Sequence, residues 1–317
     1  MRTWVYAEVS PEGVDPTALE LLSKARDLGG DLEAVALGPG ATDAAGPLGE
    51  HGAGRVYASD DAVFEEYVAE PAAAALHHLV EQHEPDLVLF ATNYDSRDVA
   101  GRLSARTGAT LMSNALDLPS ADVARTAVFG GTTLVDVKLE GSLKLVLVRP
   151  KSFAPQPVGG TAEIVPVEID INDELKRSRR VERQESAASG PRLEEAAVVV
   201  AGGRGLAEAS NFELLDKLAA ELGEAAVGAT RAVVDAGWVP YAYQIGQTGT
   251  TIKPNMYLAF GISGATQHVV GMKGAKKIVA VNKDEDAPIF QVADLGVVGD
   301  ALKILPQLIE EVKARKG

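Results

Sequence analysis

Apolar positions in the first part of the chain fall into two alternating rhythms. Residues 3–9 (TWVYAEV) and 31–38 (DLEAVALG) are nearly unbroken apolar runs, suited to strands covered on both faces. Between them, Asp15 to Leu28 repeats its apolar residues at helical spacing and is closed by Gly29-Gly30. A short strand is predicted at 55–59, a helix from Ala62 to His83 broken by Pro71, a strand at 85–93 (PDLVLFATN) and an amphipathic helix at 95–107. Strand and helix in alternation predict a parallel sheet with right-handed crossovers, a Rossmann-like α/β domain.

The rhythm then changes. Residues 122–149 hold three β-rich runs, VARTAVFG, TTLVDVKLE and SLKLVLVRP, parted by Gly-Gly and Glu-Gly turns. They read as antiparallel hairpins appended to the parallel sheet. Residues 172–191 are dense in charge and nearly free of large apolar residues, which predicts a linker. The boundary falls near Gly190, dividing the chain into 1–188 and 189–317. The second part restarts the α/β alternation. Strands are predicted at 196–201, 225–229, 256–262 and 277–282, and helices at Asn211–Leu222 and 300–315. That pattern predicts a doubly wound parallel sheet.

Composition narrows the function. A chain of 317 residues is long enough for two cores. Without cysteine there are no disulfides, thiolate nucleophiles or iron–sulfur clusters. No apolar run approaches the roughly 18 residues of a membrane span, and the start MRTWVYAEVS lacks a secretory pattern, so a cytoplasmic protein is expected. A net charge of -15 disfavours nucleic acid. The charge is uneven: residues 1–190 carry 17 basic and 30 acidic side chains, net -13, leaving 13 and 15, net -2, for 191–317. An anionic ligand sits more comfortably in the second part.

The chemistry-bearing residues also lie there. The run AVVVAGGRGL puts a glycine cluster after a strand and before a helix, where backbone N–H groups can meet a phosphate. Gly203 and Gly205 fit the first two positions of the dinucleotide fingerprint, but Glu208 holds the third. Arg204 within the loop adds a guanidinium for an anion. An ordinary tight turn is the alternative. In YQIGQTGTTIKPNMYLAFGISGATQH, uncharged donors and acceptors flank one apolar strand, which suits a heteroaromatic ring. Ser263 has a plainer reading, as the N-cap of a helix starting at Ala265. His77, His78 and His83 share one predicted helix and read as a solvated face, not a metal site. Arg231 directly follows a strand, and Asn282 and Asp300 are either caps or ribose partners.

Together these residues resemble the α subunit of electron transfer flavoproteins. The matching runs are VVAGGRGL (199–206), GATRAVVDAGWVP (228–240), QIGQTG (244–249), YLAFGISGATQHVVGM (257–272) and IVAVNKDEDAPIFQVADLGVVGD (278–300). The resemblance implies one FAD, held mainly by residues 196–317, and a heterodimer with a β subunit. It places Arg204 on the cofactor, and Thr230 and Arg231 beside the flavin. The loop Gln244, Ile245, Gly246, Gln247, Thr248, Gly249 turns the threonine hydroxyl to flavin N5. Ser263, Gly264, Ala265, Thr266, Gln267 and His268 line the ring and phosphates, with the histidine near O2. Asn282, Asp300 and Ala301 fall at the ADP half. Arg231 and a protonated or donating His268 are expected to stabilise an anionic semiquinone.

The implied role is an electron carrier, not an enzyme with an organic substrate. Electrons come from dehydrogenases such as the acyl-CoA dehydrogenases of fatty acid β-oxidation and pass to a membrane quinone oxidoreductase. The alternatives are an electron-bifurcating relative with a second FAD in its β subunit, an oxidoreductase with its own substrate, and a redox-silent nucleotide-binding scaffold.

Overall fold

A computed structural model describes every residue except 11–12, 129–132, 183–190, 194–195, 224 and 317. The chain divides into two compact units, Met1–Arg183 and Gln184–Gly317. The second half of the predicted linker and the Gly130-Gly131 turn lie outside the described residues.

The first unit begins with β1 (Arg2–Ala7), a small hairpin of β2 (Val9–Ser10) and β3 (Gly13–Val14), α1 (Pro16–Leu28) and β4 (Asp31–Leu37). It continues through α2 (Ala45–Glu50), β5 (Arg55–Ser59), α3 (Val63–Glu66), α4 (Glu70–His83), β6 (Leu87–Ala91) and α5 (Tyr94–Thr107). The strands β7 (Thr110–Ala115), β8 (Asp117–Ser120), β9 (Val123–Val128), β10 (Thr133–Lys138), β11 (Lys144–Val148) and β12 (Glu163–Pro166) complete it. Seven strands form a parallel sheet in the order β12-β5-β4-β1-β6-β11-β7. Alternate side chains feed two apolar layers: Val5, Leu21, Leu89 and Val146 on one face, Trp4, Leu76, Phe90 and Leu103 on the other. Near the amino ends of β1, β4 and β5, the buried Glu33 carboxylate accepts from Trp4 Nε1 at 2.8 Å, Tyr57 Oη at 3.2 Å and Arg55 at 3.1 Å. Four donors and acceptors that would be costly to bury singly are thus satisfied together.

Two local expectations are corrected. Of the three β-rich runs at 122–149, the first two, β9 and β10, pair antiparallel with each other and β9 also pairs with β8, in a separate sheet, whereas the third, β11, is parallel and lies between β6 and β7. All five of its residues are buried, as a strand covered on both faces requires. Nor does Pro71 break a helix. It occupies the first turn of α4, where a missing N–H costs nothing, and the break comes earlier, at Tyr67–Ala69. Ala69 there takes φ 52°.

The second unit contains β13 (Val198–Gly202), α6 (Phe212–Leu222), β14 (Ala225–Ala229), α7 (Arg231–Asp235), β15 (Met256–Phe260), α8 (Thr266–Met272), β16 (Ile278–Asn282), β17 (Leu295–Val298) and α9 (Ala301–Lys316). Its five strands are all parallel, in the order β14-β13-β15-β16-β17. Val200, Leu258, Phe260 and Val281 pack against α6 and α9. The alternate residues Val199, Ala201, Tyr257 and Ala259 face the opposite layer, with Ile245, Ile252, Met272 and Ile289. Both units are therefore α/β around a parallel sheet, the first carrying an antiparallel addition and the second doubly wound. Among the described residues, no helix is long and apolar enough to cross a membrane.

Phe260 is 1% exposed at the centre of the α6–α9 layer. Phe260→Ala is expected to destabilise the second unit by about 3–5 kcal/mol, read by chemical denaturation; a loss below about 1 kcal/mol would contradict this packing.

Candidate functional site

Strand order in the second unit reverses between β13 and β15, because β13 continues to β14 on one side and the chain returns to β15 on the other. Loops leaving the carboxyl ends of such strands diverge and open a crevice. Here they border a cleft of about 700 Å³, with Gly203–Gly205 after β13, Thr230 and Arg231 after β14, Gly261, Ile262, Ser263 and Ala265 after β15 and Asn282 at the end of β16.

The glycines hold two of these loops in backbone contact. A Cβ on Gly203 would lie 2.5 Å from the Gly261 carbonyl oxygen, and one on Gly205 would lie 2.6 Å from the Gly261 Cα. Gly261 itself takes φ 62°. Gly203 and Gly205 donate their N–H groups to the Phe260 and Gly261 carbonyls at 3.1 and 3.0 Å. The glycine cluster therefore serves loop-to-loop packing as well as the cleft wall, and Arg204, between the two glycines, is exposed on that wall.

The predicted polar loop is built in two tiers. Gln247 and Thr248 are exposed and line the cleft together with Ile245 and Gly246. Behind them, Gln244 is 3% exposed and its amide donates to Thr248 Oγ1 at 3.0 Å. The Thr248 hydroxyl proton is consequently left to donate elsewhere. Tyr241 Oη donates to the Thr248 carbonyl. Gly249 packs on the Gln244 backbone, where a Cβ would come within 2.3 Å of the carbonyl oxygen. Gln244 and Gly249 thus support the loop without lining the cleft.

Ser263, Ala265, Gln267 and His268 line the cleft, whereas Gly264 and Thr266 do not. Ser263 does not cap α8. The residue before that helix is Ala265, with no side-chain cap, and the Ser263 carbonyl accepts from Ile289 N at 3.0 Å. His268 is 5% exposed. Its Nδ1 lies 3.0 Å from the Ile245 carbonyl and its Nε2 lies 2.7 Å from Tyr257 Oη. Burial pulls its pKa from 6.5 down to about 4, against a smaller upward pull from the Ile245 carbonyl. The lowered pKa leaves the ring neutral at pH 7, in keeping with a donating and not a protonated histidine, and both nitrogens contact the protein.

Arg231 opens α7 and pairs with Asp235 at 3.1 Å, and both side chains are largely exposed on the cleft. Asn282 Nδ2 donates to the Ile262 carbonyl at 2.9 Å while its Oδ1 accepts from Asp284 N at 3.0 Å, tying two cleft loops together. Asp300 accepts from Leu302 N at 3.0 Å at the start of α9, and neither it nor Ala301 lines the cleft. Asp235 and Asp284, absent from the predicted set, do line it. The i,i+4 spacing of Asp235 from Arg231 was a readable signal for the first. Among the first unit's histidines, His83 is not on a solvated face: its ring packs 4.8 Å from that of Tyr57. Among the described residues, no cluster of His, Asp and Glu could hold a metal.

The neutral, buried His268 has a pH consequence. Its folded pKa lies below the unfolded value, so the unfolded chain binds the extra proton between about pH 6.5 and 4. The stability it supports is fully present above that window and is lost as pH falls through it. Denaturation of His268→Gln is expected to show a shallower loss than the wild type across this range; identical slopes would contradict a neutral ring.

Comparison with known proteins identifies the family. Residues 3–173 match the model of the electron transfer flavoprotein domain, and residues 192–273 that of the electron transfer flavoprotein FAD-binding domain. The chain is 41% identical over 315 residues to electron transfer flavoprotein subunit alpha of Mycobacterium leprae, covering 99% of this chain and 98% of that one. It is 42% identical over 317 residues, at the same coverage, to the subunit alpha of Mycobacterium tuberculosis. With Protein FixB of Clostridium saccharobutylicum it shares 36% identity over 321 residues, covering 98% and 96%. The donor set fits FAD. Arg204 can meet a diphosphate, Arg231, uncharged amides and a hydroxyl can meet a flavin edge, and the glycines keep the cleft wall free of side chains. The chain belongs to the electron transfer flavoprotein α-subunit family and carries that family's FAD-binding domain.

Proposed function

We propose that this chain is the FAD-bearing half of a cytoplasmic heterodimer with a β subunit. It would take electrons from dehydrogenases, such as acyl-CoA dehydrogenases, and pass them to a membrane quinone oxidoreductase. The observation that carries this reading is the coincidence of the switch-point cleft with the segment matched by the FAD-binding family model. FAD, when bound, supplies the ability to accept and release electrons one at a time.

The chain's residues would bind, orient and tune that group. Arg204 and the 203–205 backbone would hold the diphosphate, and Asn282 would fix the loop beside the ADP half. Asp300 and Ala301 would act on that half only through the start of α9. Arg231 would set a positive charge beside the ring, where reduction adds negative charge. Asp235 moderates that charge, since an exposed ion pair leaves the guanidinium partly neutralised. Thr248, its oxygen already accepting from Gln244, keeps its hydroxyl proton free to donate and would give it to a ring nitrogen. Thr230, Ile245, Gly246, Gln247, Ser263, Ala265 and Gln267 would complete the contact surface. The buried pair Tyr257 and His268 offers no free base for carbon-acid chemistry, because each is occupied by the other. That suits a carrier without an organic substrate of its own.

Arg231→Ala is expected to lower the first reduction potential of the bound flavin by roughly 20–60 mV, about 0.5–1.4 kcal/mol for one electron. Asp235→Asn is expected to raise it. Potentiometry of the heterodimer checks both, and unchanged potentials would remove these residues from the tuning role. Gly203→Ala forces the loops apart at an expected cost of about 1–3 kcal/mol. Its FAD should dissociate during gel filtration under conditions where the wild type keeps it; full retention would show that the glycine contact does not shape the site.

A further inference from the structure

Tyr257 stands out because the reading above gives it no contact with the cofactor, yet it is wholly buried beneath the cleft. It is 0% exposed on β15, on the sheet face opposite α6 and α9, and its hydroxyl lies 2.7 Å from His268 Nε2. The protonation pattern follows by elimination. A backbone carbonyl only accepts, so the Nδ1 that contacts Ile245 O at 3.0 Å carries a proton. A neutral ring then has a bare Nε2, and Tyr257 must be the donor to it.

The far end of this relay is the cofactor loop. Ile245 N donates to the Ala229 carbonyl at the end of β14 at 2.9 Å, and Gln247 N donates to the Gln267 carbonyl on α8 at 2.7 Å. The imidazole is a third tie, from the loop's Ile245 carbonyl to α8. Gly246 is pressed close beside it, since a Cβ there would lie 2.7 Å from the Gln267 carbonyl oxygen. A ring that lost its Nδ1 proton or turned over would lose the bond to the Ile245 carbonyl and free the segment that presents Gln247 and Thr248.

We propose that Tyr257 is a positioning residue: by donating to Nε2 it locks His268 as the Nδ1–H tautomer, whose bond to the Ile245 carbonyl holds the Gln247–Thr248 edge of the cleft in place. The cofactor side of this statement rests on the FAD reading given above. The ring itself faces Tyr257 from β15 and the Ile245 carbonyl from the loop. Tyr257 stays un-ionised, its pKa pushed far up by burial, so it donates at every pH of interest. Such orientation of one side chain by a hydrogen bond behind it is common where a site demands a fixed geometry.

The test is the nitrogen-15 spectrum of histidine-labelled heterodimer, wild type and Tyr257→Phe, recorded from pH 8 to pH 5. The wild type is expected to show His268 with a protonated Nδ1 and a bare, hydrogen-bonded Nε2, unchanged across the range. In Tyr257→Phe, which keeps the buried ring, the Nε2 signal should shift as its bond is lost and should titrate inside the window. FAD should bind about two- to tenfold more weakly, as the loss of one buried hydrogen bond requires. A protonated Nε2 in the wild type would overturn the proposal, and that measurement needs no variant to fold. So would a His268 signal, titration and FAD affinity all unchanged in Tyr257→Phe. A wild-type heterodimer that takes up no FAD would instead contradict the functional reading, and the ring's protonation would still be read from the same spectrum.

Discussion

Backbone contact between the loops after β13 and β15 is the constraint on which the second unit's cleft depends. Adjacent parallel strands are only one strand spacing apart, about 4.8 Å, so loops that leave them side by side must either diverge at once or touch. Here they touch, through Gly203, Gly205 and Gly261, and diverge only afterwards. The contact sets the depth of the crevice and delivers Arg204 to one wall and Ser263 to another. The switch in strand order supplies the opening, and the glycines determine its shape.

Around that opening, polarity is graded with depth. At the rim are the exposed charges of Arg204, Arg231, Asp235 and Asp284. Gln244 and Tyr257 lie behind the uncharged wall formed by Gln247, Thr248 and Gln267, and the buried His268 reaches the cleft between them; Gln244 bonds to Thr248, and His268 to Tyr257 and the Ile245 carbonyl. Burial penalises charge, so the deep groups serve as struts while the exposed arginines supply the field. The net charge of -15 is no obstacle, because most of it resides in residues 1–190. A long chain can be acidic overall and still offer cations at one cleft.

Much of this was legible from one-dimensional pattern, and the failures share a cause. Segments such as α1, β6 and the first four strands of the second unit are written in local spacing, whereas the short β17 was not read. The third run of 122–149 was assigned to a hairpin because its turn signals are local, whereas its partners, Leu87–Ala91 and Thr110–Ala115, are distant in sequence. Pro71 was read as a breaker because proline's effect reverses between helix interior and first turn. At the site, residue types announced Arg204, Arg231, Thr248 and Gln267. They did not reveal which residues face the cleft and which stand behind it. Gln244, Gly249, Gly264, Thr266, Asp300 and Ala301 all fall outside the lining. His268 was read as protonated or donating because histidine is the side chain that titrates near neutrality, and its burial beside Tyr257, which decides between the two, is not written in the sequence.

The most direct measurement is the visible spectrum and flavin content of the full chain produced together with its β subunit, followed through stepwise anaerobic reduction. The account predicts one FAD per chain, with reduction proceeding in separate one-electron steps. A colourless protein that takes up no flavin after FAD is added would contradict it.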